Sequence, residues 1–197
     1  MANCLLCGVG GQGTVLASKL IAQSAMDRGL MARTAETIGM AQRGGCVVSH
    51  VRTGREIFSP MIPLGTADLI LGFEPGEAVR CLPYMKEGGV VVASVNPVMP
   101  VTASLKGGYD GEAMVATLRS LPGRVILVDT EAICRRIGSA KVANVALLGA
   151  AAASGVLDVS LQELVETLEK RMNPRFIAMN KLALAEGARL AGEEEKR

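Results

Sequence analysis

The chain has 197 residues, 49% of them apolar and 20% charged, with a formal net charge of +2. These values suit a single α/β domain with a core of Val, Leu, Ile, Met and Ala, and they exclude a disordered chain. The near balance of charge, with 3% aromatic residues and no tryptophan, also argues against a nucleic-acid binder, which needs a basic stripe and stacking platforms.

Residues 4–9 (CLLCGV) read as a short apolar strand that runs into the glycine cluster Gly8, Gly10, Gly11 and Gly13. From Thr14 to Gly29 the apolar positions recur at helical spacing, with Gly29 as the C-cap. A second strand is expected over 31–36 and a loop over 37–45. The β-branched run 46–53, turning at Gly54 into 56–58 (EIF), predicts an antiparallel hairpin over 46–58. Residues 67–72 (ADLILG) predict a buried strand, 76–86 a helix that contains Pro83, and 90–95 (VVVASV) another strand. The stretch 97–109 reads as an irregular excursion. A helix at 111–119, a strand at 124–129 and a helix from Thr130 to Gly138 follow. Helical patterns then fill 141–154, 160–171 and 174–191, with Ser160 and Glu163 spaced as a capping box.

Strands alternating with helices predict a three-layer, Rossmann-like α/β sandwich with a mostly parallel sheet and a helical C-terminal third. The expected organisation is one domain over 1–192 and a charged, frayed tail over 193–197. Five scattered cysteines beside one histidine make no disulfide framework and suit a reducing, cytoplasmic setting. The longest apolar stretch, Val145 to Leu157, is broken by Gly149, Ser154 and Gly155 and is too short to span a bilayer. No basic leader segment precedes the first strand.

The candidate site begins at Gly8-Val9-Gly10-Gly11-Gln12-Gly13, a GxGxxG spacing between a strand and a helix. Glycines there admit unusual backbone angles and let an anion approach the amides of a helix N-terminus. A dinucleotide site also wants an acidic residue about 20 positions on, and Glu36 sits there. Gln12 either donates to a ligand or a partner backbone, or bonds its own loop.

The second candidate segment holds Gln42, Arg43, Gly44 and Gly45. Its guanidinium, on an open glycine backbone, suits a carboxylate, a phosphate or a facing subunit. Asn144 either caps the helix that follows it or faces the glycine turn. His50 has no sequence-near carboxylate to orient it and reads as structural. Asp129 and Glu74 close strands but read as helix caps. Cys4 and Cys7 lie on opposite faces of one strand, so no metal or redox role is assigned.

GVGGQG at 8–13, GMAQRGG at 39–45 and NVALLG at 144–149 together resemble the gamma-type component of 2-oxoacid:ferredoxin oxidoreductases, over Cys4 to about Leu190. Ile38-Gly39-Met40 replaces the Ser-Tyr-Gly of many pyruvate and 2-oxoglutarate members and is similar to the arylpyruvate, indolepyruvate-oxidising branch. The resemblance implies a subunit without its own reaction centre. A large partner would carry thiamine diphosphate, magnesium and [4Fe-4S] clusters, form an acyl-CoA from coenzyme A, and reduce ferredoxin. It places loops 8–13 and 39–45 near the partner or the coenzyme A approach. This chain has no four-cysteine cluster spacing and no acidic magnesium–diphosphate motif of its own. Apolar docking surfaces would let the isolated chain form a homodimer. Two other readings stay open at this point: a free-standing NAD- or FAD-dependent oxidoreductase, and an adenine-nucleotide-binding regulatory module.

Overall fold

The computed structural model describes residues 1–37, 45–99 and 108–194. Among these residues six strands form one sheet: β1 (Ala2–Val9), β2 (Met31–Thr37), β3 (Cys46–Gly54), β4 (Ala67–Gly72), β5 (Met85–Ser94) and β6 (Arg124–Val128), in the order β2-β3-β1-β4-β5-β6. The described α-helices are α1 (Thr14–Asp27), α2 (Pro75–Cys81), α3 (Gly111–Arg119), α4 (Thr130–Ile137), α5 (Ala143–Ala153), α6 (Leu161–Arg171) and α7 (Pro174–Glu194). Strands β1, β4, β5 and β6 pair in parallel, whereas β3 runs antiparallel to both β1 and β2.

Alternate residues of the central strands feed two cores. Cys4, Leu6, Leu69, Leu71, Val90 and Val92 face α1 and the C-terminal helices, while Leu5, Cys7, Ile70, Val91 and Ala93 face α2 and α3. Burial on both faces explains why these strands read as continuous apolar runs. Helix α5 is apolar all round and sits inside this layer, as an unpatterned helix must. Its approach to α7 is backbone to backbone. A Cβ added to Gly149 would lie 2.0 Å from the Leu184 carbonyl oxygen, and one on Gly187 would lie 1.8 Å from that of Ala146.

The antiparallel element expected over 46–58 is present as one nine-residue strand, but its partners differ from the expected ones. Residues 56–58 form no return strand. Instead β3 pairs with β2, from Met31↔Gly54 to Thr37↔Val48, and with β1, from Ala2↔Thr53 to Val9↔Cys46. Two long partners outcompete a three-residue one. The segment after Gly54 crosses the sheet face as a loop, burying Ile57 and Ile62. Arg33 Nε donates to Ile57 O at 3.1 Å, and Arg52 Nη1 donates to the carbonyls of Ser59 and Met61 at 3.0 and 3.3 Å.

Two further boundaries shift. The helix expected over 76–86 stops at Cys81 and tightens into a 3-10 turn over Leu82–Tyr84, where Pro83 cannot donate. Strand β5 then starts at Met85 rather than residue 90, with an irregular register between Ala67 and Leu69 opposite it. Helix α7 continues through Glu194; residues 195–197 of the expected tail lie outside the described residues. Among the described residues no helix is long and apolar enough to cross a membrane.

Candidate functional site

The helix after β1 and the helix after β4 lie on opposite faces of the sheet, so the boundary between β1 and β4 is a topological switch point. Crevices for ligands form there, beyond the carboxyl ends of the strands. The turn from β1 to α1 occupies this position. Gly11 and Gly13 have φ of +101° and +82°, a region that favours glycine, and Gly13 is the N-cap of α1. A Cβ at Gly8 would lie 2.7 Å from Gln12 Oε1 and 2.8 Å from Phe73 Cβ, so the turn closes tightly on the end of β4.

Gln12 is the fastening. Its Oε1 accepts from Val9 N at 2.7 Å and its Nε2 donates to Phe73 O at 2.9 Å. Phe73 N in turn donates to Cys7 O at 2.7 Å. Of the two roles open to Gln12, its amide takes the one within its own fold. Gly10 N donates to Gly45 O at 2.8 Å, which ties the turn to the residue before β3. Gln42, Arg43 and Gly44 lie outside the described residues, as does Ile38-Gly39-Met40. Asn144 faces the turn: Nδ2 is 3.4 Å from Gly13 O, and a Cβ at Gly13 would lie 2.4 Å from it.

Glu36 is placed elsewhere. It lies one residue before the end of β2, half-buried, and accepts from Ser18 Oγ of α1 at 3.0 Å. In a dinucleotide site the acidic residue ends the strand next to β1. Here β3 lies between β1 and β2, which sets Glu36 two strand spacings, about 10 Å, from β1. That arrangement removes the structural basis for reading GxGxxG plus Glu36 as a nicotinamide site.

A crevice of about 440 Å³ opens beside the turn, walled by Gly11–Gly13, Phe73, Ser94, Asn96, Thr130, Asn144 and Leu147 among others. Its floor is a connected polar group. Ser94 Oγ and Thr130 Oγ1 are 2.9 Å apart, Asn96 Oδ1 accepts from Glu131 N at 3.0 Å, and Asn96 Nδ2 donates to Asp129 Oδ1 at 3.1 Å. Asp129 also caps α4 through Ala132 N at 2.9 Å. In the sequence Thr130 opens the helix expected after residue 129, and Asn96 follows the strand expected over 90–95. Their place at the ends of β5 and β6 was the signal for a crevice-lining role. A second, larger hollow of about 700 Å³ lies at the outer edge of β6, lined by Leu121, Val125, Leu127 and Leu190.

The remaining candidates are structural. Glu74 is buried, caps α2 through Glu77 N at 2.9 Å, and accepts from the Tyr109 hydroxyl. Burial and the Glu74 carboxylate push the Tyr109 phenol above its ordinary range. His50 Nδ1 accepts from Ile62 N at 3.2 Å, and its ring meets Tyr84 edge to face at 5.8 Å. Burial pulls its imidazole below the usual value, so it is a neutral acceptor at pH 7. Cys4 and Cys7 face different cores, and all five cysteines are free thiols. Burial raises the Cys134 thiol at the crevice wall, which disfavours a nucleophilic thiolate. Among the described residues, no three His, Cys, Asp or Glu side chains gather into a group that could hold a metal. This donor set does not fit an iron–sulfur cluster or a magnesium–diphosphate site.

The chain is 33% identical to the indolepyruvate oxidoreductase subunit IorB of Thermococcus kodakarensis, across 97% of this chain and 96% of that protein. Its fold superposes on the keto/oxoacid ferredoxin oxidoreductase gamma subunit of Geobacter sulfurreducens with a TM-score of 0.70 at 23% identity, covering 98% and 99% of the two chains. It also superposes on the 2-oxoglutarate:ferredoxin oxidoreductase of Magnetococcus marinus, solved with 2-oxoglutarate, coenzyme A and succinyl-CoA bound. There the TM-score is 0.71 at 21% identity, covering 98% of this chain and 31% of that one. Residues 3–190 match the family described as pyruvate ferredoxin/flavodoxin oxidoreductase. By fold, by sequence and by this match over nearly its whole length, the chain belongs to the pyruvate ferredoxin/flavodoxin oxidoreductase family.

Proposed function

We propose that the chain is the small subunit of a heteromeric, cytoplasmic 2-oxoacid:ferredoxin oxidoreductase whose substrate is indolepyruvate or another arylpyruvate. The reaction consumes a 2-oxoacid anion, coenzyme A and two oxidised ferredoxins, and it yields an acyl-CoA, carbon dioxide, two reduced ferredoxins and the thiol proton. Thiamine diphosphate with magnesium would supply the electron sink for decarboxylation, and [4Fe-4S] clusters would supply the electron relay. We assign these groups to a large partner subunit; among the described residues of this chain no three His, Cys, Asp or Glu side chains gather to hold a metal. The observation that carries the reading is the likeness to IorB over 97% of the chain.

The chain's own contribution is a shaped surface. The fastened turn Gly8–Gly13 and Gly45 lie at one end of the sheet, and we assign them, with Gln42, Arg43 and Gly44 of the same sequence motif, to contact with the partner or with coenzyme A. The first N–H groups of α1, which lack acceptors within the helix, favour negative charge there.

Anaerobic affinity purification of the chain from its host tests this. A brown partner subunit should co-purify, and the complex should reduce a viologen dye with indolepyruvate and coenzyme A. A colourless chain recovered alone, with affinity for a nicotinamide or adenine nucleotide, would overturn the reading.

A further inference from the structure

We infer that Lys141 holds the phosphates of coenzyme A at the mouth of the crevice; this rests on the proposal that coenzyme A approaches the glycine turn. Among the described residues that line the crevice, Lys141 is the one cation and Glu131 the one carboxylate. Glu131 is offset by Arg135, 3.3 Å away on the next turn of α4. Lys141 has no carboxylate within ion-pair distance among the described residues, although Arg135 and Arg136 just before it are both paired. Asp129 lies behind Asn96 and outside the lining residues, so Lys141 is the one charged group on the crevice wall without an ion-pair partner among the described residues.

Its backbone is fixed. Gly138 ends α4 in the left-handed conformation, Ser139 Oγ accepts from Lys141 N at 3.3 Å, and Val142 is fully buried. The 3-10 turn Ala140–Val142 runs straight into α5, so the ammonium swings only as far as its own stem allows. A lysine on such a support is a compact point charge that suits a phosphate, which needs no planar fork. Phe73, Val98 and Leu147 wall the adjoining space, where the uncharged part of the molecule would lie. The floor hydroxyls and the Asn96 amide are bonded to one another and to Asp129, so the wall ammonium is the group left to meet a phosphate.

The test uses the intact complex under anaerobic conditions. Lys141→Gln should raise the KM for coenzyme A about tenfold and change kcat by less than about twofold. Pantetheine, an acyl acceptor without phosphates, should show the same KM in wild type and variant. Equilibrium dialysis with desulfo-coenzyme A should report the same loss of affinity without turnover. Ala140→Trp, at an exposed position on the crevice wall, blocks the mouth and serves as the control. If Ala140→Trp raises the KM and Lys141→Gln does not, the crevice reading stands and the assignment of Lys141 falls. A KM raised equally for coenzyme A and pantetheine in Lys141→Gln also overturns it. If neither variant affects coenzyme A, both ideas fall.

Discussion

An alanine at Gly187 should be among the most damaging single-methyl changes in this protein. The added Cβ would sit 1.8 Å from Ala146 O and 2.7 Å from Ala146 C, whereas close C···O contacts in proteins settle at about 3.3 Å. The rigid carbonyl belongs to a buried helix and cannot rotate away, so α5 and α7 must separate by roughly 1.5 Å along their crossing. Overpacking of a well-filled core costs about 1–3 kcal/mol and occasionally more. Here the separation also loosens packing around Ala146, Ala183 and Leu184, all fully buried, so about 3 kcal/mol is expected. For a chain of this size that lowers the melting temperature by roughly 6–12 °C. Gly192, on the same helix, provides the control, because a Cβ there meets nothing within 4 Å. Gly192→Ala should stabilise by about 0.5–1 kcal/mol through helix propensity alone. Thermal and urea unfolding of both variants beside the wild type would decide. A Gly187→Ala protein that melts with the wild type, at an unchanged m-value, would refute the backbone-contact account.

Stability should fall as the pH drops below about 6.5, the ordinary imidazole value. Burial holds the folded His50 below that value, so between the two values the unfolded chain binds more protons and stability rises with pH. Urea midpoints at pH 7.5 and 5.5 should diverge in the wild type and less so in His50→Asn. Tyr109→Phe removes a donor from the buried Glu74 carboxylate and should cost about 1–3 kcal/mol, read from the urea midpoint. Because the folded phenol titrates above its ordinary range, the wild type should also lose stability above about pH 10, where the unfolded phenol ionises first; Tyr109→Phe should blunt that loss. Gln12→Leu leaves Val9 N and Phe73 O without their partner and should cost about 2 kcal/mol. Loss of amide-exchange protection at Val9 would locate the effect; unchanged protection there would count against the fastening role.

Much of this architecture was legible because its signals are local. The valine run of β5, the glycine turn before α1, the Ser160–Glu163 capping box and the helix at 111–119 each follow from the periodicity or chemistry of adjacent residues. Strand order is not local. Nothing in residues 46–54 reveals that they lie between β1 and β2, and that single fact moves Glu36 away from the turn. Gly149 and Gly187 look like weak points of two separate helices until the fold sets each against the other's backbone. Lys141 carries no motif, and only the closure of the α4–α5 connection over the strand ends makes it part of a crevice wall. For Gln12 the sequence offered two roles. The choice depended on Phe73, 61 residues away along the chain.

The strand order also shapes how this chain is built during synthesis, N-terminus first. When β3 emerges it finds β2 just before it and β1 still unpaired, and it joins both. Strand β4 then adds to the free side of β1, β5 to β4 and β6 to β5, so no strand has to force its way between two that are already bonded. The cover arrives in a different order. One face receives α2 and α3 as the sheet grows, whereas the other waits for α5, α6 and α7, which begin only at Ala143. Until those helices leave the ribosome, Leu69, Leu71, Val90 and Val92 face water on a finished sheet shielded on that side by α1 and α4. The last quarter of the chain is thus the part that closes the second core over an otherwise adhesive sheet.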